Sequence, residues 1–187
     1  KKFVEERELT VVLVVDVSAS GNYGSTGPSK KEIATEVAAL LAFSAIRNND
    51  RVGLLIFTEG VEVFVPPKKG RRHVLRVIRE LLYHRPRGRR TSIVAALEYL
   101  DRVVRRHGVV FVISDFIDVG YDRALQRAGR RHDLIAVTVE DPRERRLPDV
   151  GFIALHDAET GEQIVVACGH APAREEFAAR QARAAEP

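Results

Sequence analysis

The chain has no methionine and no tryptophan, one cysteine in 187 residues, and no apolar run approaching the roughly 20 residues needed to span a bilayer. Each absence excludes something. The single cysteine, Cys168, rules out an internal disulfide and argues against a cysteine-built zinc site, as expected in a reducing compartment, so the expected location is the cytoplasm. The opening KKFVEERE has no apolar signal core. The missing methionine argues against Lys1 as the natural start, so we expect an upstream segment, and a membrane anchor is left open for such a missing segment. The six histidines show no HExxH spacing and no GxSxG elbow occurs. Cys168 and His170 fall in a tail segment rather than at a strand end, and Cys168 reads as incidental. Charge is plentiful but evenly mixed. Thirty basic and 26 acidic residues leave +4, which mildly favours acidic partners without marking a nucleic-acid binder.

With 45% hydrophobic residues, the length suits one globular domain over 1–187, with no repeats, low-complexity blocks or internal linker. Four short stretches, Leu9 to Val15, Val52 to Phe57, Val109 to Ile113 and Leu134 to Val139, are apolar on both faces, as strands inside a parallel sheet are. Helical patterns lie between them. The first opens at Ser29, whose spacing to Glu32 fits a capping box, and points Ile33, Val37, Leu40, Leu41 and Ile46 to one side before ending near Asn48. The second, Arg71 to His84, turns Val74, Ile78, Leu81 and Leu82 inward. The third, about Ser92 to Arg106, uses Ile93, Ala96, Leu97, Leu100 and Val104, and a fourth covers about Tyr121 to Ala128. This alternation predicts an α/β, doubly wound sheet. Val61 to Val65 alternates after a short turn and should fold back as an antiparallel edge strand, which brings Thr91 to the edge where the parallel strands end. The tail predicts a hairpin, Phe152 to Leu155 with Ile164 to Val166, at the other sheet edge, then a helix over about 173–185.

The first strand finishes in DVSAS. In an extended segment Asp16, Ser18 and Ser20 face one way, presenting three oxygens together. Open α/β sheets bind ligands beyond the carboxyl ends of strands whose connections leave to opposite faces. If the Val109 strand is that neighbour, Asp115 in VVFVISDF ends beside Asp16, and Thr91 in RRTSIVAAL adds a hydroxyl. Oxygen-only donors suit a hard divalent cation such as Mg²⁺ or Mn²⁺. Standing alone, DVSAS reads about equally well as a strand-and-turn cap; Thr91 and Asp115 tip the balance to metal.

These residues resemble the metal-ion-dependent adhesion site of von Willebrand factor type A domains, whose Rossmann-like fold the resemblance implies. AIRNNDRVGLLIF, PPKKGRRHVLRVIRELL, ISDF, RRHDLIAVTVEDPRERRLPDVG and DAETGE extend the likeness over nearly the whole chain, to the bacterial domain-of-unknown-function family fifty-eight. The resemblance implies that Ser18, Ser20 and Thr91 ligate the ion, with Asp16 and Asp115 acting largely through waters. It also implies a protein partner that supplies a Glu or Asp, and a complex with a MoxR-type AAA+ ATPase. Two departures stand out: Ser92 follows the threonine where many related sites carry aspartate, and Gly21 and Asn22 follow the second serine.

Neutral hydroxyls around a cation leave much of its charge for a partner's carboxylate to meet, hence the expectation of a metal-dependent protein-interaction module and no enzyme. The alternative is a Mg²⁺-dependent phosphoryl-transfer enzyme with Asp16 as nucleophile, but Ser18 stands where a second acid would be wanted. The glycine-rich stretch from Gly21 through Gly24 to Gly27, before Lys30, fits neither GxxxxGK[ST] nor GxGxxG and reads as a flap beside the ion. Arg85, Arg87, Arg89 and Arg90 precede Thr91 and read as a solvated face, with attraction of an acidic partner towards the ion as the alternative, and DPRERRLPD reads as a surface loop.

Overall fold

Five strands form the central sheet of the computed structural model, which describes residues 8–22, 27–145, 147–156 and 161–184. In chain order they are β1 (Thr10–Asp16), β2 (Arg51–Phe57), β3 (Val61–Lys68), β4 (Val109–Ser114) and β5 (Asp133–Thr138), with spatial order β3-β2-β1-β4-β5. β3 alone is antiparallel. Pro66 and Pro67 lie in it without breaking the sheet, because an edge strand has one side free of ladder bonds.

Helices cover both faces. α1 (Lys30–Arg47) and α2 (Arg71–Tyr83) lie over Val11, Leu13 and Val15; α3 (Ile93–Val103) and α4 (Asp122–Arg131) lie over Val12 and Val14. The double cover explains the unbroken apolar runs of the inner strands. Ser29 closes the expected capping box on α1: Glu32 N–H donates to its hydroxyl at 3.2 Å, and its own N–H donates to the Glu32 carboxylate at 2.7 Å.

Several expectations need correction. The face of α1 that meets the sheet is made of alanines, Ala34, Ala38, Ala42 and Ala45, while Leu40 is 70% exposed. Small side chains let the helix backbone lie close to β1, and the larger residues flank that contact or face outward. In α2, Val77 is buried and Leu82 points outward. The tail hairpin, β6 (Phe152–His156) with β7 (Gln163–Ala167), does form, but as a separate two-stranded sheet, leaving β5 as the edge of the main one. α3 is shorter than its pattern suggested, with Val104 as its C-cap, and α4 runs a turn further. After β5 come a short helix, α5 (Pro142–Arg145), and the tail helix α6 (Ala171–Ala184). Gly24, residues 157–160 of the tail turn, and the chain start that bears on Lys1 lie outside the described residues. Among the described residues no helix is long and apolar enough to cross a membrane.

Candidate metal centre

β1 feeds α1 on one face of the sheet and β4 feeds α4 on the other, so the two strands flank the switch point. Their register, Val15 opposite Ile113, sets Asp16 across from Ser114. The Asp16 carboxylate is buried, with one oxygen accepting from the Ser18 N–H at 2.9 Å and the other from the Ser114 hydroxyl at 2.7 Å. Burial pushes its carboxyl above the ordinary value; bonds from Ser114 and Ser18 oppose that rise, and neighbouring Asp115 adds to it. The chain then turns through a 3-10 segment, Ala19–Asn22, which leaves the Ser18 and Ser20 hydroxyls 3.0 Å apart.

Asp115 follows β4 directly, and its side chain is only 5% exposed. It is oriented by the chain beyond it. The Ile117 N–H donates to Oδ1 at 3.1 Å, while Phe116, between them, takes φ of +57°, an uncommon conformation for an aromatic residue. Backbone held in this region is stored strain, of order 1–3 kcal/mol, that surrounding structure must enforce. Here Phe116 packs against Tyr121 and its N–H donates to the Ser114 hydroxyl at 3.1 Å.

The second oxygen of Asp115 accepts from Lys30 Nζ at 2.8 Å, and the same ammonium reaches Glu144 at 2.7 Å. Lys30 belongs here because it heads the alanine stripe: Lys30, Ala34, Ala38 and Ala42 are spaced by four and share the buried face of α1. Burial alone would lower its pKa, but the hydrogen bonds it donates to Asp115 and Glu144 outweigh that and hold it above the ordinary 10.5. Asp16, Ser18, Ser20, Lys30, Ser114 and Asp115 thus line one small recess.

Thr91 arrives by another route. The β2–β3 turn and the start of β3 grip the loop ahead of it: Glu62 of β3 accepts from the N–H groups of Arg87 and Gly88, and Glu59 of the turn from those of Arg89 and Arg90. That loop in turn touches the Asp16 turn, the Ala19 N–H donating to the Arg89 carbonyl at 2.9 Å. Thr91 is half-buried on this neighbouring segment and does not itself line the recess. Ser92 caps α3 through the Ala95 N–H, and Asp118 takes the Ile93 N–H at 2.8 Å, so the departure at Ser92 serves the helix start. The side chains of Arg85, Arg87, Arg89 and Arg90 are exposed. Cys168 is buried in the tail.

Sequence reasoning missed Lys30, Ser114 and Glu144. DPRERRLPD reads as a surface loop, yet its Glu144 turns inward to Lys30. The signal for Lys30 was the four-residue spacing to the alanines. Among the described residues no three His, Cys, Asp or Glu side chains are placed to share a metal, so a cation here depends on hydroxyls. The donors fit a hard divalent ion: a buried carboxylate compensated only by neutral groups, paired hydroxyls and a second carboxylate already holding a cationic group.

The sheet order and this recess define a doubly wound α/β fold with an oxygen-lined site at its switch point. The family model described as "Protein of unknown function DUF58" matches residues 1–186, and the chain belongs to that family. Uncharacterized protein Rv1480 of Mycobacterium tuberculosis is 35% identical over 164 residues, 86% of this chain and 52% of that protein. Uncharacterized protein MAV169 of Mycobacterium avium is 37% identical over 100 residues, 52% of this chain and 59% of that protein. The chain therefore spans about half the length of the curated relatives it matches. Among solved structures, an aerotolerance-related membrane protein from Bacteroides fragilis aligns with TM-score 0.65 at 21% identity, over 91% of this chain and 87% of that one. BatB from Bacteroides thetaiotaomicron gives 0.64 at 21%, over 91% and 85%. Proximal thread matrix protein 1 of the mussel byssus, with a zinc-occupied MIDAS motif, gives 0.51 at 14%, over 69% and 37%. At these identities the likeness establishes the mixed α/β fold.

Proposed function

We propose that this chain is a von Willebrand factor A-type, metal-ion-dependent protein-interaction module that binds an acidic side chain of a partner through Mg²⁺ or Mn²⁺. One observation carries the reading: Asp16, Ser18, Ser20 and Asp115, from two distant segments, line a single recess at the switch point. The hydroxyls of Ser18, Ser20 and Thr91 and the carboxylates of Asp16 and Asp115 would hold the ion. When bound, the ion offers a Lewis-acidic position to a partner's carboxylate. Asp16 is kept in place by Ser18 and Ser114, and Asp115 by Ile117, so the protein's part is orientation and partial neutralisation. The byssus protein with its zinc-occupied MIDAS motif supports the reading as a structural relative. A MoxR-type AAA+ ATPase is the partner that the family resemblance puts forward. Ser18 supplies no acid where an aspartyl-phosphate mechanism would want one, which favours binding over phosphoryl transfer.

Thermal unfolding followed during a Mg²⁺ or Mn²⁺ titration tests the reading. An ion at one hundred times its Kd stabilises by about 2.7 kcal/mol, roughly 5–10 °C in a protein of this size. The parent chain is expected to show that saturable shift, and Asp16→Ala and Asp115→Ala little of it. Equal shifts in all three would remove the proposal.

A further inference from the structure

The Lys30 ammonium sits where an incoming cation would have to compete with it. Its side chain is 4% exposed, Asp115 is 5% exposed, and their contact is 2.8 Å. A buried charge needs a partner, so Lys30 cannot simply release Asp115. Glu144 provides the alternative. It lies 2.7 Å from the same nitrogen, and its other carboxylate oxygen accepts from the Asp141 N–H at 3.2 Å, which fixes the acceptor from the far side. With Asp16, Asp115 and Glu144 ionised and Lys30 protonated, the cluster carries a net charge of −2, that of one divalent ion's counter-charge.

We propose, resting on the ion-binding reading above, that Lys30 is a built-in counter-cation that competes with the divalent ion for Asp115 and falls back on Glu144, to which it is already bonded, when Asp115 is engaged. The Lys30–Glu144 pair thereby sets the ion affinity of the recess. Lys30 is a positioning residue in this scheme: it bridges Asp115 and Glu144 while Asp115 is unengaged and keeps Glu144 as its counter-charge when Asp115 turns to the ion. A strut that only tied α1 to the segment after β5 would carry no such opposition to the ion.

Calorimetric titration of Mg²⁺ and Mn²⁺ into the parent chain, Lys30→Gln, Glu144→Gln and the double variant separates the two roles. Lys30→Gln is expected to bind the ion about ten-fold more tightly or better, since a like charge beside the site is removed. In chelator the same variant is expected to melt lower than the parent, because Asp115 has lost its cation; a merely structural residue would lower both quantities. Glu144→Gln should weaken ion binding several-fold in the parent background and much less in the Lys30→Gln background, where no ammonium needs an acceptor. Unchanged or weaker binding in Lys30→Gln, or an equal effect of Glu144→Gln in both backgrounds, overturns the proposal. If Lys30→Gln does not fold, Lys30→Met takes its place, and unchanged or tighter binding in Glu144→Gln alone is sufficient to reject the scheme. A parent chain that binds neither ion sinks the interaction-module reading and this inference together, whereas a parent that binds alongside indifferent variants sinks only this one.

Discussion

Replacing Glu62 by glutamine should loosen the loop that leads to Thr91, and the cost can be worked from the structure. The carboxylate, 8% exposed, accepts from the Thr58 hydroxyl at 2.7 Å, from His84 Nε2 at 2.7 Å, from the Gly88 N–H at 2.9 Å and from the Arg87 N–H at 3.0 Å. Burial by itself would raise its pKa, but the bonds from Gly88, Thr58, His84 and Arg87 overcome this and hold it at about 2, against an ordinary 4.5. A carboxyl moved that far is linked to about 3 kcal/mol of folding free energy. Glutamine keeps one acceptor oxygen, so Glu62→Gln is expected to cost about 2–3 kcal/mol at pH 7. The folded-state pKa is the depressed one, so this stability is fully present above pH 4.5 and is lost as pH falls from there towards 2. Urea unfolding of parent and variant, followed by circular dichroism at pH 7, 4.5 and 2.5, should therefore show a gap that closes on acidification. Because other carboxylates titrate in both proteins, the difference between the curves isolates Glu62. A gap below about 0.5 kcal/mol at pH 7, or one that persists unchanged to pH 2.5, would refute the reasoning.

Gly88→Ala strains the same loop from a different side, since a Cβ there would lie 2.4 Å from Thr58 Oγ1 and 2.8 Å from a Glu59 carboxylate oxygen. Chemical denaturation should show a loss of about 1–3 kcal/mol, whereas Gly60→Ala in the nearby turn, with nothing within 4 Å, should stay within about 0.5 kcal/mol. His132 is 2% exposed and neither ring nitrogen has a hydrogen-bond partner among the described residues. Burial, then the Arg131 charge, push its pKa below 6.5, so the parent should lose stability as pH falls through 6.5, where the unfolded chain takes up the proton first. His132→Leu should flatten that dependence between pH 8 and 5.5 and stabilise the fold by about 1 kcal/mol, read from melts at the two pH values.

The strands were legible because each inner one is covered by helices on both faces and so reads as an unbroken apolar run, and β3 because its alternation marks a strand with one wet side. α3 was equally plain, since its larger apolar residues are the ones it buries. On α1 the apolar periodicity finds Ile33, Val37, Leu41 and Ile46, which pack partly buried against the core, but not the alanine stripe that lies closest to the sheet, and it wrongly includes Leu40. Close approach to β1 selects for alanine instead, so Leu40 and Phe43 are left largely exposed. The position of the tail hairpin was not readable, because strand-to-strand attachment across the fold leaves no local periodicity. In the site, Asp16, Ser18, Ser20 and Asp115 announced themselves as polar residues ending greasy strands. Lys30 and Glu144 did not, since a lysine opening a helix and an acid in a charged loop have the same local pattern whether they face water or each other.

The close seating of α1 has a reach beyond its own contacts. An α-helix of 18 residues is a stiff rod about 27 Å long, and this one touches the sheet through methyl groups along most of that length. An added carbon at Ala42 or Ala45 would meet the sheet directly, and the expected response is a small shift of the helix that carries its first residue with it. Ala45→Val, remote from every candidate ligand, would then alter ion affinity by shifting the ammonium of Lys30, and a screen for altered binding should return substitutions at the foot of the helix as well as at its head.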